Sequence, residues 1–420
     1  KKISQSTFGS NHQRFAYTLE RLSLFYLGQS KYSKSLDLIE QAIEINKTVF
    51  GLNHRKVALN WHNKSAVLIS MGRDEEAYDY ALRSYKLFNG LDELNFETLS
   101  SSIRHLSRLM DKRGQYAKSI AILESLLEKT KQKLNRKDHT LIASTMASLS
   151  SSHRKNKDYE KAIYFSKNAL NMYKNLGLQD STAAIVALNN LGVTYSNSGQ
   201  FKLATNTYLE VLERRSRTGI NTKRNYGLIY NNLSIGYIKQ GLISKAEIYL
   251  HKSLRNRLEL FQLEGPLMPR SQRSKFFGSF KGDSEKLVYS LSQTSQSAAL
   301  IALEYRLNRQ GLLAEIEKRQ STLVMNDKSV GNMLYKINTI IDRLSNLTLD
   351  SSERLDLVKE QENIERKIYE KLPPLKPRHV SIKQIAKALD ANSVLIEYQK
   401  YYPYNLKTLN IEDQRYMAII

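Results

Sequence analysis

The chain has 420 residues, and its 64 Lys+Arg against 41 Asp+Glu leave a formal net charge of +23. Gly at 18 and Pro at 6 are scarce, together roughly half of ordinary usage, which disfavours an all-β sandwich or barrel and favours helices. Cys is absent, so the chain holds no disulfide, no thiolate zinc site and no cysteine nucleophile.

No apolar run approaches the roughly 20 residues that span a bilayer. The first residue is Lys1, which sets the expectation of a piece of a longer or processed product. The lack of Cys fits a reducing compartment, and a cytoplasmic location is expected.

A long period runs from the start of the chain. Phe8-Gly9-Ser10-Asn11-His12 returns as Phe50-Gly51-Leu52-Asn53-His54, an offset of 42. Small residues recur at Ser23, Ser65, Ser107, Ser150, Gly192 and Ser234, at intervals of 42, 42, 43, 42 and 42. A second small residue follows each by twelve positions: Ser35, Ala77, Ser119, Ala162, Ala204 and Ala246. Gly72, Gly114, Gly199 and Gly241 fill a turn slot between the two, with Ser30 and Lys157 in the other copies.

These features predict six helix–turn–helix units. Small residues are needed where two helices cross closely, and a turn Gly adopts positive φ at a helix C-terminus. Asp74 and Asp158 follow the turn slot and are expected N-caps. Leu188, Leu191 and Tyr195, and Ala204, Tyr208 and Leu212, lie three and four apart on the expected core faces.

The spacing resembles tetratricopeptide (TPR) repeats, in particular the 42-residue kind of kinesin light chain. That kind has a Gly-x-x-His loop before its first helix, matched by Gly9 with His12 and Gly51 with His54, and by a degenerate Asp138-His139. It often reads Leu-Asn-Asn-Leu within that helix, matched by Asn189-Asn190 and Asn231-Asn232. The resemblance covers roughly 8–260 and implies an all-α, right-handed superhelical solenoid. Lys64 departs from the pattern at a usually apolar position, and His153 replaces the usual Tyr or Leu.

Beyond 260, Gly265-Pro266 and Pro269 interrupt the helical pattern. A helical stretch is predicted over 284–325, followed by a helical hairpin. One arm of the hairpin carries Leu334, Ile337, Ile340, Ile341 and Leu344, the other Leu355, Val358, Ile364 and Ile368. A polar turn at 348–352 joins them, and Pro373-Pro374 and Pro377 end the pattern. A short helical face at Ile382, Ile385, Ala386 and Leu389 precedes two predicted strands, 393–398 and 415–420. An isolated two-stranded sheet is marginal, so a sheet domain continuing past Ile420 is expected.

Residues 275–420 resemble the linker and opening of the CHAT peptidase-like domain, a relative of caspases and separases. The resemblance rests on the 306–313 stretch, the hairpin, the strand at 394–398, the aromatic-Pro-aromatic segment around Pro403 and the strand at 415–420. It implies a His/Cys dyad for the whole protein. No Cys is present and no His follows His379, so the dyad maps to no position of this chain. The expected organisation is a six-repeat solenoid over 1–260, a helical linker with an antiparallel hairpin over 261–378, and the start of a CHAT domain over 379–420.

The TPR resemblance implies a concave groove lined by the first helix of each repeat. The aligned groove positions are Asn63, Arg104, Arg108, Asn190, Asn197, Asn232 and Lys239. An Asn amide both donates and accepts, so it reads a peptide backbone without regard to its sequence; the competing reading is that the Asn pairs bond neighbouring helix ends or solvent. Over 212–275 there are 13 Lys+Arg against four acids, which suits either an acidic protein or a nucleic acid, or else a solvated convex face. His12 and His54 sit one repeat apart, too far for a shared ion at about 2 Å, and are expected to satisfy helix-end backbone groups. Gly278 to Gly282 lack the strand and Gly-Lys-Ser/Thr of a phosphate loop.

The sequence therefore predicts a protein-interaction scaffold that binds a partner protein or peptide in the TPR groove, as the regulatory N-terminal part of a CHAT cysteine-peptidase-like protein. It predicts no catalytic residues, cofactor, metal or membrane partner within this chain. The alternative is a nucleic-acid-associated scaffold using the basic 212–275 segment.

Overall fold

The computed structural model describes residues 2–28, 32–90, 96–135, 138–218, 223–269, 273, 283–326, 330–345, 351–369, 379–390, 392–408 and 410–419. Among the described residues are eighteen α-helices, one short 3-10 turn and two short strands. The chain forms two compact units, Lys1–Thr222 and Lys223–Ile420. No helix among the described residues is long and apolar enough to cross a membrane.

The first unit is a run of helix pairs after α1 (Lys2–Phe8). These are α2 (Gln13–Gly28) with α3 (Tyr32–Phe50), α4 (Arg55–Ser70) with α5 (Asp74–Asn89), α6 (Phe96–Lys112) with α7 (Tyr116–Leu134), α8 (Thr140–Lys155) with α9 (Tyr159–Asn175), and α10 (Thr182–Asn197) with α11 (Phe201–Thr218). Each helix packs on the next in sequence, and the first helices α2, α4, α6, α8 and α10 also touch one another in turn. Those first helices thus form one continuous layer, which positions the site described below.

The small residues do what the period predicts. Ser23, Ser35, Ser65, Ala77, Ser119, Ser150, Ala162 and Ala204 are all fully buried. Their hydroxyls add hydrogen bonds across the crossings: Ser65 Oγ donates to the Ala77 carbonyl at 2.6 Å, and Ser119 Oγ to the Ser107 carbonyl at 3.1 Å. At Gly192 the approach is closer still, because an added Cβ would lie 2.7 Å from the buried Tyr208 ring. Leucines such as Leu68, Leu106 and Leu109 fill the layer between the pairs, each worth about 1.5–3 kcal/mol when fully buried.

The turns and caps follow from local chemistry. Gly72, Gly114 and Gly199 all have positive φ, and Lys157 takes the same conformation at φ 64° without being Gly. His12, His54 and His139 accept from the backbone N–H two residues on, at 3.1, 3.2 and 3.1 Å through Nδ1; the last two are N-caps. Asp158 caps α9, accepting from Lys161 N–H. Asp74 does not cap α5. Arg73 occupies that position, and Asp74, one residue inside, pairs instead with Lys112 Nζ of the next repeat at 2.5 Å. Lys64 is accommodated by Glu40 at 2.9 Å and Tyr80 OH at 3.0 Å, and His153 stacks on Phe165 at 5.4 Å.

The second unit opens with the sixth pair, α12 (Lys223–Lys239) and α13 (Ile243–Glu264), which the 3-10 turn Gly265–Leu267 ends. The helix predicted over 284–325 is two helices, α14 (Asp283–Leu291) and α15 (Gln296–Asn326). Ser292 Oγ turns back to the Tyr289 carbonyl, and Ser295 Oγ accepts from Ala298 N–H. This is the usual competition of Ser with helix backbone. α13 packs on both α14 and α15. The hairpin arms are α16 (Gly331–Leu344) and α17 (Ser351–Tyr369), in contact through a core of Val330, Ile337 and Ile368. Most of the predicted polar turn and the Pro373 to Pro377 break lie outside the described residues, as does the Gly278 to Gly282 segment.

α18 (Ile382–Ala388) begins with a capping box between Ser381 and Gln384. β1 (Glu397–Tyr401) pairs antiparallel with β2 (Arg415–Ile419), Glu397 opposite Ile419. The first strand thus starts four residues later than predicted. Residues 393–396 lie outside the pairing, which runs from Glu397 to Tyr401 on this strand.

Candidate functional site

Within the first unit, α4, α6, α8 and α10 line a groove of about 330 Å³. Its walls carry His62 from α4, Arg104, His105 and Arg108 from α6, Ser148 from α8 and Asn190 from α10. Val186, exposed at 44%, contributes an apolar surface to the same groove.

The polar groups are unevenly satisfied. Arg104 Nη1 is buried with no hydrogen-bond partner, and so is His62 Nδ1. Asp111 on the wall accepts from Ser152 Oγ at 3.0 Å and faces Lys155 Nζ at 3.4 Å, while its other oxygen has no partner. Burial lowers the Arg104 pKa from the usual guanidinium range, yet Arg remains charged at any physiological pH. A guanidinium held this way is costly unless something pairs with it.

The two imidazoles are neutral. Burial first, and then the Arg104 and Arg108 charges, hold His62 down at about 4. Burial, His62, Arg108 and Lys112 hold His105 well below its ordinary value. Their rings lie 5.0 Å apart, and His105 Nε2 bonds Ser65 Oγ at 2.8 Å. The positive charge of the groove therefore belongs to Arg104 and Arg108.

Of the sequence-derived set, Arg104, Arg108 and Asn190 meet in this groove. Asn63 is buried beside it, with Nδ2 donating to Glu20 Oε1 at 3.3 Å. Glu20 also accepts from Asn60 at 3.0 Å, and burial raises its pKa. Asn197 is exposed near the end of α10. Asn232 and Lys239 lie on α12 in the second unit, where both are half-buried and Lys239 Nζ donates to the Lys407 carbonyl. Sequence reasoning passed over His105 and Ser148. The signal was present: 63, 105, 148, 190 and 232 share one slot, at intervals of 42, 43, 42 and 42.

The basic segment is less exposed than its count suggests. Arg215, Arg257 and Arg273 are buried. Arg214 pairs with Glu210 at 2.6 Å and donates to the Gln179 carbonyl at 2.5 Å, and Arg217 faces Asp180 at 3.6 Å. Arg270 and Lys275 lie outside the described residues.

A tetratricopeptide-repeat family model matches residues 15–56 and 185–218, and the chain contains TPR repeats. No curated protein matches it in sequence. Among solved structures, a putative kinesin light chain of Podosopora anserina with nearly identical TPR-like repeats is similar at 16% identity. It covers 48% of this chain and 95% of its own, with a TM-score of 0.39. A Rap protein complexed with competence and sporulation factor is 15% identical over 75% of this chain and 79% of its own, at TM-score 0.46. NprR in complex with its cognate peptide NprX is 13% identical over 72% and 86%, at TM-score 0.45.

Proposed function

We propose that this chain is a protein-interaction scaffold that holds an extended segment of a partner protein in the groove of α4, α6, α8 and α10. The observation that carries this reading is the buried, unpartnered Arg104 Nη1 beside the neutral His62 and His105. Arg104 and Arg108 would receive a carboxylate or backbone carbonyls, with Asn190 pairing the backbone and Val186 packing against an apolar side chain. Asn197, and Asn232 and Lys239 on α12, are proposed as further contacts on their own helices.

The finer reading makes the chain the regulatory part of a cytoplasmic CHAT cysteine-peptidase-like protein, with any catalytic dyad outside this chain. It rests on the resemblance of 275–420. A His and a Cys, each following a strand and encoded downstream of Ile420, would support it; an open reading frame without them would remove it.

The groove is tested by selecting binders from a displayed peptide library and measuring their affinity for variants. Arg104→Ala with Arg108→Ala, and Asn190→Ala alone, are each expected to weaken binding by about tenfold or more. Affinity that ignores both variants would overturn the groove reading. Binding of duplex DNA, with log K falling by about 0.9 per phosphate against log salt, would favour the nucleic-acid alternative.

A further inference from the structure

Three side chains that share no motif converge in the second unit. His251 lies on α13, Glu304 on α15, and His379 in the segment that leads into α18. His251 Nε2 is 2.9 Å from Glu304 Oε1, and His379 Nε2 is 3.1 Å from the same oxygen. The three donor atoms all lie within 4.8 Å of one another. We propose that His251, Glu304 and His379 bind one divalent transition-metal ion, of which Zn2+ is the best match.

The geometry supports a shared ion. Donor atoms at about 2.0–2.1 Å from a tetrahedral zinc are separated by about 3.3 Å, close to the two separations seen. Two imidazoles and a carboxylate suit Zn2+ and its first-row neighbours, whereas Ca2+ and Mg2+ favour all-oxygen sets. Three protein ligands leave a fourth position for water or another ligand. The three donors are half-shielded, with side-chain exposures of 43%, 13% and 25% for His251, Glu304 and His379, so an ion has a route in.

The surroundings already hold the ligands in place. Glu304 Oε2 accepts from Ile382 N–H at 3.3 Å, which turns Oε1 toward the two imidazoles. Asn308, one turn along α15, donates to the Val380 carbonyl and accepts from Val380 N–H, both at 2.8 Å. That clamp fixes the segment carrying His379. Such outer partners orient metal ligands and raise affinity. Arg255, the nearby cation, faces Glu259 at 3.6 Å. The bound ion would tie the last repeat helix to α15 and to the entry of α18, independently of the groove in the first unit.

The test is calorimetric titration of the full chain with ZnCl2 in metal-free buffer, repeated with Co2+ to read the visible absorption of a bound ion. One equivalent is expected. His379→Gln keeps an N–H able to donate to Glu304 but lacks the imidazole ligand, and it should weaken binding by at least about tenfold; His251→Gln should do the same. Circular dichroism separates loss of binding from loss of fold. Absence of binding to the wild type would overturn the site, leaving a hydrogen-bonded clasp. So would equal affinity in the His251→Gln/His379→Gln double variant, which would mark the ion as adventitious.

Discussion

In the first unit, the layer of α4, α6, α8 and α10 leaves Arg104 Nη1 and His62 Nδ1 without partners, whereas in the second three guanidiniums are held by side chains of the same unit. Arg306 Nε meets Glu397 at 2.6 Å, Arg309 Nη1 meets Glu285 at 2.7 Å, and Arg273 Nη2 donates to Gln320 at 2.6 Å. A buried polar group without a partner costs about 1–3 kcal/mol. A fold that keeps such groups along a groove holds hydrogen-bonding capacity for another chain. A fold that closes them on itself builds a fixed body, here tying β1 to α15.

The contrast predicts opposite responses to one kind of substitution. Arg306→Met would strand Glu397 in a half-buried site, and it should cost about 2 kcal/mol after allowing for solvent screening. Arg104→Met removes a buried guanidinium whose Nη1 has no partner and should be neutral or slightly stabilising, within about 0.5 kcal/mol. Urea unfolding midpoints of the two variants measure this. An equal loss in both would mean that Arg104 is held by interactions the groove argument omits.

The groove also predicts a response to acid. His62 is held at about 4, below its ordinary value of 6.5, by burial and by Arg104 and Arg108. Between those values the unfolded chain binds the proton and the folded chain does not. Stability therefore falls as pH drops below about 6.5, by up to about 1.4 kcal/mol per pH unit for this group. His62→Gln should remove that share of the slope between about pH 6 and 4.5, measured as the difference from wild type in urea unfolding. An unchanged slope would mean that His62 is solvated and that the groove floor is wetter than its burial implies.

How much of this was legible in the sequence differs between the units for a physical reason. The period of small residues placed every helix pair, because only a small side chain lets two axes cross closely, as Gly192 under Tyr208 illustrates. The same period put Arg104, Arg108 and Asn190 on first helices, where the groove formed. It did not show that Asn63 would turn to Glu20, since that carboxylate lies 43 residues away on the preceding repeat. In the second unit no repeat relates His251, Glu304 and His379. They are separated by 53 and 75 residues, and only the packing of α13 on α15 and the Asn308 clamp bring them together.

The smallest effect tests the repeat rule itself. Lys157 stands in the turn slot that Gly72, Gly114, Gly199 and Gly241 fill, and its φ of 64° is positive like theirs. A side chain in that conformation carries a steric cost of about 1–2 kcal/mol that Gly avoids. Gly loses more backbone freedom on folding, so the net gain from Lys157→Gly should be about 1 kcal/mol. The Lys157 N–H reaches the Arg154 carbonyl at 3.0 Å, and the next N–H, of Asp158, reaches the His153 carbonyl at 2.9 Å. Both bonds are backbone only and survive the change. A rise in unfolding midpoint would show that the fourth repeat departs from its neighbours at a local cost. A fall would mean that the Lys157 side chain contributes to the turn, and that this repeat closes by a different rule from the four that use Gly.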